Sequence, residues 1–117
     1  MSVNKVFLNG RIGQDAEVRT TQNGRAASFT LATDEGWKDR ESGEWQERTE
    51  WHRVVTFQPG LIGVLKDKAK KGVRVIVTGE MNYRNWRKDG ETSDRQQAEI
   101  VVGSDGKINF VDRETGD

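Results

Sequence analysis

"TEWHRVVTFQPGLIGVLKDKAKKGVRVIVTGEM", residues 49–81, carries a strand, a break, a helix and a second strand in that order. Trp51, Arg53, Val55 and Phe57 alternate with His52, Val54 and Thr56, the period-two pattern of an extended chain with two different faces. The run reaches back through "WQER" to Trp45. Pro59-Gly60 stops it, and Pro59 is the only proline of the chain. Leu61, Val64, Leu65 and Lys68 then recur at helical spacing. Lysines crowd the end of that segment and Gly72 stands where a left-handed C-cap is expected. Gly63 weakens the helix, so a short one is expected. "VRVIVTGEMNYRNW" is extended again, and Gly79 within it predicts a bulge or a sharp bend.

On the N-terminal side, "NKVFLNGRI" reads as a strand. "QNG" at residues 22–24 is a tight-turn signal leading into a second strand with Phe29 and Leu31 on alternate positions. On the C-terminal side, "RQQAEIVVG" puts Ala98, Ile100 and Val102 on one face. "SDGK" is a turn, and "INFV" is a candidate last short strand. The expectation is an all-β chain: a five-stranded OB-fold barrel with one short helix between strands 3 and 4. One domain over residues 1–111 and a short polar tail over 112–117 complete that expectation.

Composition narrows the function classes. The 117 residues suit one core, and apolar residues are only 32% of them, so four tryptophans call for an explanation. Nineteen basic residues balance nineteen acidic ones, so any affinity for a polyanion must come from charges sorted onto one face. With no cysteine and one histidine, thiolate and multi-histidine metal sites are ruled out. No segment reads as a membrane span or a signal peptide, which points to a cytoplasmic protein. Phosphate-binding loops and nucleophile motifs are missing, so no enzyme, cofactor or metal is expected. "DGETSD" resembles a calcium loop only faintly and reads as a hairpin turn.

The tryptophans keep company with cations. In "NYRNWRKDGE", residues 82–91, Asn82, Arg84 and Trp86 share a face by parity, and a loop follows. Trp51, Arg53 and Phe57 do the same on the third strand, and Trp37 ends the second in "DEGWKDR". Flat rings beside cations suit single-stranded nucleic acid, whose bases stack on the rings while its phosphates meet the charges. Core packing is the competing reading for Trp51 and Phe57, because Val55 on their face looks like core. Lys66, Lys68 and Lys70 read as a solvated helix end, and His52 as a structural or interface histidine.

Together "VNKVFLNGRIGQDAEVR", "NGRAASFTLAT", "SGEW" followed by "TEWHRVV", and "KKGVRVIVTGEM" closely resemble the bacterial single-stranded DNA-binding proteins, from about residue 3 to about residue 102. The resemblance implies an OB fold, a homotetramer, and sequence-independent binding of single-stranded DNA in replication, repair and recombination, without catalysis or cofactor. It places the stacking aromatics at Trp37, Trp51, Phe57 and Trp86. It places the basic contacts at Lys5, Arg19, Arg53, Lys71, Arg84 and Arg95, and a subunit contact at His52. RNA stays open as a weaker ligand. A dimeric replication-restart module acting as an adaptor is the alternative within the same fold.

The chain departs from the family pattern in three places. It stops at "DRETGD", without the long tail and acidic, aromatic tip through which the family recruits partners, so recruitment by that route does not carry over. It is either a trimmed core or a short form of the kind phages and mobile elements encode. Pro59 stands where a basic residue is common, which removes one expected phosphate contact. Trp45 adds an aromatic within the acidic hairpin "ESGEWQERTE"; it either packs across the hairpin, the favoured reading, or adds a stacking site.

Overall fold

The described residues form seven strands and one helix: β1 (Val6–Ile12), β2 (Glu17–Thr21), β3 (Gly24–Lys38), β4 (Trp45–Thr56), α1 (Pro59–Lys68), β5 (Arg74–Trp86), β6 (Arg95–Val102) and β7 (Lys107–Phe110). The structure is a computed structural model and describes residues 2–22, 24–87, 89–90, 92–93 and 95–111; the side chain of Trp86 also falls outside the description. The 112–117 tail expected from sequence lies outside the described residues as well.

Five strands close a ring. β1 pairs with β3, β3 with β4, β4 with β6, β6 with β5, and β5 returns to β1. All of these pairings are antiparallel except β4 with β6, where Val54, Val55 and Thr56 run parallel to Ile100, Val101 and Val102. This is the five-stranded OB-fold barrel, with α1 between its third and fourth strands. The two further strands are additions. β2 makes a hairpin with β3, and β7 lies against the first half of β5.

Alternation fills the barrel. Leu31, Val54, Thr56, Val75, Val77 and Val102 are fully buried, with Phe29, Ile12 and Ile100 beside them. A buried aliphatic side chain of this kind contributes roughly 1.5–3 kcal/mol. Thr56 is the polar exception inside, and its hydroxyl donates to the Val102 carbonyl at 2.7 Å. β5 changes partners along its length. Val75 to Thr78 pair with β7, and from Glu80 onward the strand pairs with β6. Gly79 sits at that junction. A Cβ there would lie 2.6 Å from the Val101 carbonyl oxygen, so the strand needs glycine for close approach and runs through it without interruption.

The helix differs in two respects from the sequence expectation. Its buried stripe is Ile62 and Leu65, continued by Ala69, while Val64 faces outward at 40% exposure. Of the expected stripe, Leu65 is buried and Leu61 packs against the core, while the docking of α1 on β2 and β3 buries Ile62 and Ala69 in place of Val64 and Lys68. Gly72 does not cap the helix, which ends at Ala69. Gly72 takes φ +90 three residues later, in a turn where the Val73 N–H donates to the Lys70 carbonyl. The turn residues Lys70 and Lys71 separate helix from glycine.

Candidate nucleic-acid interface

β4 is the strand on which inside and outside separate most clearly. Val54 and Thr56 point into the barrel; Trp51, Arg53 and Val55 occupy the outer face. Trp51 is 63% exposed and Phe57, one residue beyond the strand, is 55% exposed. Val55 is buried nonetheless, because on the outer surface it lies between Ser28 of β3 and Val101 of β6. Its burial therefore reflects a central position in the sheet and does not make its aromatic neighbours core.

Trp51 is held as a platform. A Cβ at Gly13 would collide with the Trp51 ring, so the indole lies over Gly13 and against Thr30. One side of the ring rests on the barrel wall while the residue as a whole stays largely open to water. The residue type at position 13 thus sets the height of the ring, which sequence reading did not reveal.

The pairing register extends this outer face across β6 and β5. Asn82 pairs with Glu99, Arg84 with Gln97, and Trp86 with Arg95. Arg84 and Arg95 are exposed, and Trp86 holds the register position that continues their face. Arg53, Arg84, Arg95, Trp51 and the Trp86 position therefore share the outer face of β4, β6 and β5. The parity groupings made from sequence on β4 and β5 become a single surface once β6 is placed between them.

A buried carboxylate lies within that face. Glu99 is 6% exposed, and its carboxylate accepts from Arg53 Nε at 3.4 Å. The pair joins β4 to β6 just beyond their parallel ladder. It holds the Arg53 guanidinium on the outer face that also carries Trp51 and places a negative charge beside it. Glu99 sits at an outward parity beside Ile100 and Val102, so a sequence reading takes it for solvent. Only the β4–β6 pairing, between segments 46 residues apart, brings it to Arg53.

The other expected residues are more scattered. The register opposes Trp37 to Gln46, continuing the face that begins with Leu31 and His52, so Trp37 lies on the side of the β3–β4 ribbon opposite to Trp51. Trp37 is 44% exposed there. Arg19 lies on β2 and pairs with Glu17 at 3.1 Å, both exposed. Lys71 is exposed in the turn after α1, where its backbone N–H donates to Asp15 Oδ1 at 2.8 Å. Lys5, exposed, precedes β1 beside an open depression lined by Thr78, Glu80 and residues 103–106. These three cations lie outside the β4–β6–β5 face. His52 is half-buried and its Nε2 lies 2.9 Å from Thr33 Oγ1. Among the described residues no cluster of three or more His, Asp or Glu side chains could hold a metal ion, and no helix is long and apolar enough to cross a membrane.

Known proteins share both sequence and fold with this chain. The model of the single-strand binding protein family matches residues 3–111. A single-stranded DNA-binding protein of Rhizobium meliloti (strain 1021) is 42% identical over 118 residues, covering 99% of this chain and 67% of that protein. Among solved structures, the Plasmodium falciparum SSB in complex with ssDNA superimposes with a TM-score of 0.83 at 32% identity, covering 96% of this chain and 97% of the other. A small single-stranded DNA-binding protein from Streptomyces coelicolor shares the fold, with a TM-score of 0.69 at 23% identity and coverage of 95% and 96%. The match runs across the barrel from before β1 to the end of β7 and takes in the face built on β4, β5 and β6: this chain belongs to the single-strand binding protein family.

Proposed function

We propose that this protein binds single-stranded DNA without sequence preference and protects it during replication, repair and recombination. The observation that carries the proposal is Trp51, an indole seated on Gly13 with most of its surface open to water, beside Arg53 on the outer wall of the barrel. Every base has a π-face, so a ring presented in this way accepts any sequence. Phe57 and Trp86 extend the stacking surface, and Trp37 offers a further ring on the other side of the β3–β4 ribbon. Arg84, Arg95 and Arg53 on the same wall, with Lys5, Arg19 and Lys71 on neighbouring elements, meet the phosphates and release counterions.

The protein acts by binding alone and carries no catalytic step. It works as a homotetramer in the cytoplasm, with His52 at a contact between subunits. Family membership and the shared fold support this assembly. Because stacking and charge read little of the 2′-hydroxyl, RNA is also able to occupy the same surface.

Titration of the intrinsic tryptophan fluorescence with poly(dT), at low and at high salt, tests the proposal. Saturable quenching at low salt that weakens as salt rises is the expected result. An unchanged emission at low salt would remove the stacking surface from the account.

A further inference from the structure

From the geometry of the β3–β4 ribbon we infer that Trp45 is an additional base-stacking site, which lengthens the path of the DNA beyond the barrel. The inference rests on the single-strand binding proposed above.

Trp45 opens β4 at the tip of the ribbon and is 64% exposed, almost the same as Trp51. It is seated in the same way. A Cβ at Gly36 on the opposing strand would collide with the Trp45 ring, so the indole lies across Gly36. Its Nε1 donates to Glu47 Oε1 at 3.2 Å, which fixes the ring within its plane. Cross-strand packing therefore does occur, but against a residue with no side chain, and it leaves the ring largely uncovered.

Parity relates the two rings. Residues 45, 47, 49 and 51 share one face of β4, so Trp45 continues the face of Trp51 and not that of Trp37. Six residues of strand separate them by about 20 Å, a span a few nucleotides of extended strand can cross. Lys38 pairs directly with Trp45 on the neighbouring strand, and its side chain runs past Gly43 at the hairpin tip. Between the two rings the same face carries Glu47 and Asp34, the latter accepting from Thr49 Oγ1 at 2.9 Å. Those carboxylates repel phosphates, so the strand meets this stretch through its bases. Stacking on Trp45 should therefore add affinity without adding to the salt dependence.

Trp45→Ala, Trp45→Phe and Trp51→Ala are compared with wild type for binding to dT oligomers of increasing length, across a salt series. For oligomers long enough to leave the barrel, Trp45→Ala weakens binding about five-fold, the low end of the range for one stacked base. Trp45→Phe restores most of the loss, the salt slope stays that of wild type, and the shortest oligomers bind unchanged. Photocrosslinking with 5-iodouracil-substituted dT then labels the peptide of residues 41–48. Wild-type affinity in Trp45→Ala at every length, while Trp51→Ala is weakened, would overturn the inference and leave the barrel face standing; the ring would then serve a protein contact. A loss that Phe does not rescue, without a crosslink in residues 41–48, would show a structural role and overturn it as well. Absence of binding by wild type would reject the underlying proposal.

Discussion

The two faces of β4 meet opposite environments. Val54 and Thr56 have no exposed surface, whereas Trp51 between them and the ribbon is 63% exposed. Size and hydrophobicity alone predict the reverse, since a tryptophan has the most apolar surface to lose. A single strand thus carries two separate tasks, stability inward and recognition outward, and its period of two keeps them apart. A substitution should therefore affect one task and spare the other according to parity.

The inward face gives the largest expected effect. Leu31→Ala, at a fully buried position opposite His52, should cost about 2–5 kcal/mol of stability, read as a lower thermal midpoint. The fraction that remains folded should bind dT with wild-type affinity. On the outward face Trp51→Ala should weaken binding to dT by about 1–3 kcal/mol and leave the melting profile nearly unchanged. Should Trp51→Ala unfold the protein, or Leu31→Ala abolish binding by its folded fraction, the division by parity fails.

Gly13→Ala sharpens the contrast without replacing either side chain. The added methyl meets the Trp51 indole, so the ring must lift or turn. The expected result is a loss of dT affinity smaller than that of Trp51→Ala, together with a shifted tryptophan emission. The smallest effect belongs to Glu99→Gln, which removes the carboxylate beside Arg53 at 3.4 Å. With Arg53 released to a phosphate, binding should tighten modestly at low salt and the slope of log affinity against log salt should steepen by about 0.7. An unchanged slope would mean that Arg53 stays off the phosphate path. The reverse substitution, Arg53→Ala, is a poorer test, because it strands a buried carboxylate and so confounds binding with stability.

Much of this division was legible in the sequence. Alternation alone placed Val54 and Thr56 opposite Trp51 and Arg53, and Pro59-Gly60 placed the helix between the third and fourth barrel strands. Local signals sufficed there because each depends on neighbours a few residues away. Features that depend on pairing between distant segments were not legible. Glu99 under Arg53 follows from the parallel β4–β6 ladder; Val55 reads as core and is buried, but it is Ser28 and Val101 on the outer surface that bury it. Gly13 and Gly36 each carry a tryptophan ring that arrives from another strand, a contact no local pattern announces. Trp37 seemed to join Trp51, but the cross-strand register sets it on the other side of the ribbon. The helix stripe was legible at Leu61 and Leu65 but not at Ile62 and Ala69, because the strands that meet α1 set which flank of the apolar face is covered.

The central claim is that the tryptophans on the outer face leave water for the bases of a bound strand. Acrylamide quenching of tryptophan emission, measured free and at saturation with poly(dT), with saturation fixed independently by the anisotropy of a labelled oligomer, tests it most directly. The account predicts ready quenching in the free protein and strong protection in the complex, with part of that protection missing in Trp51→Ala. Equal quenching in the free and saturated states would show that DNA binds elsewhere, and would contradict it.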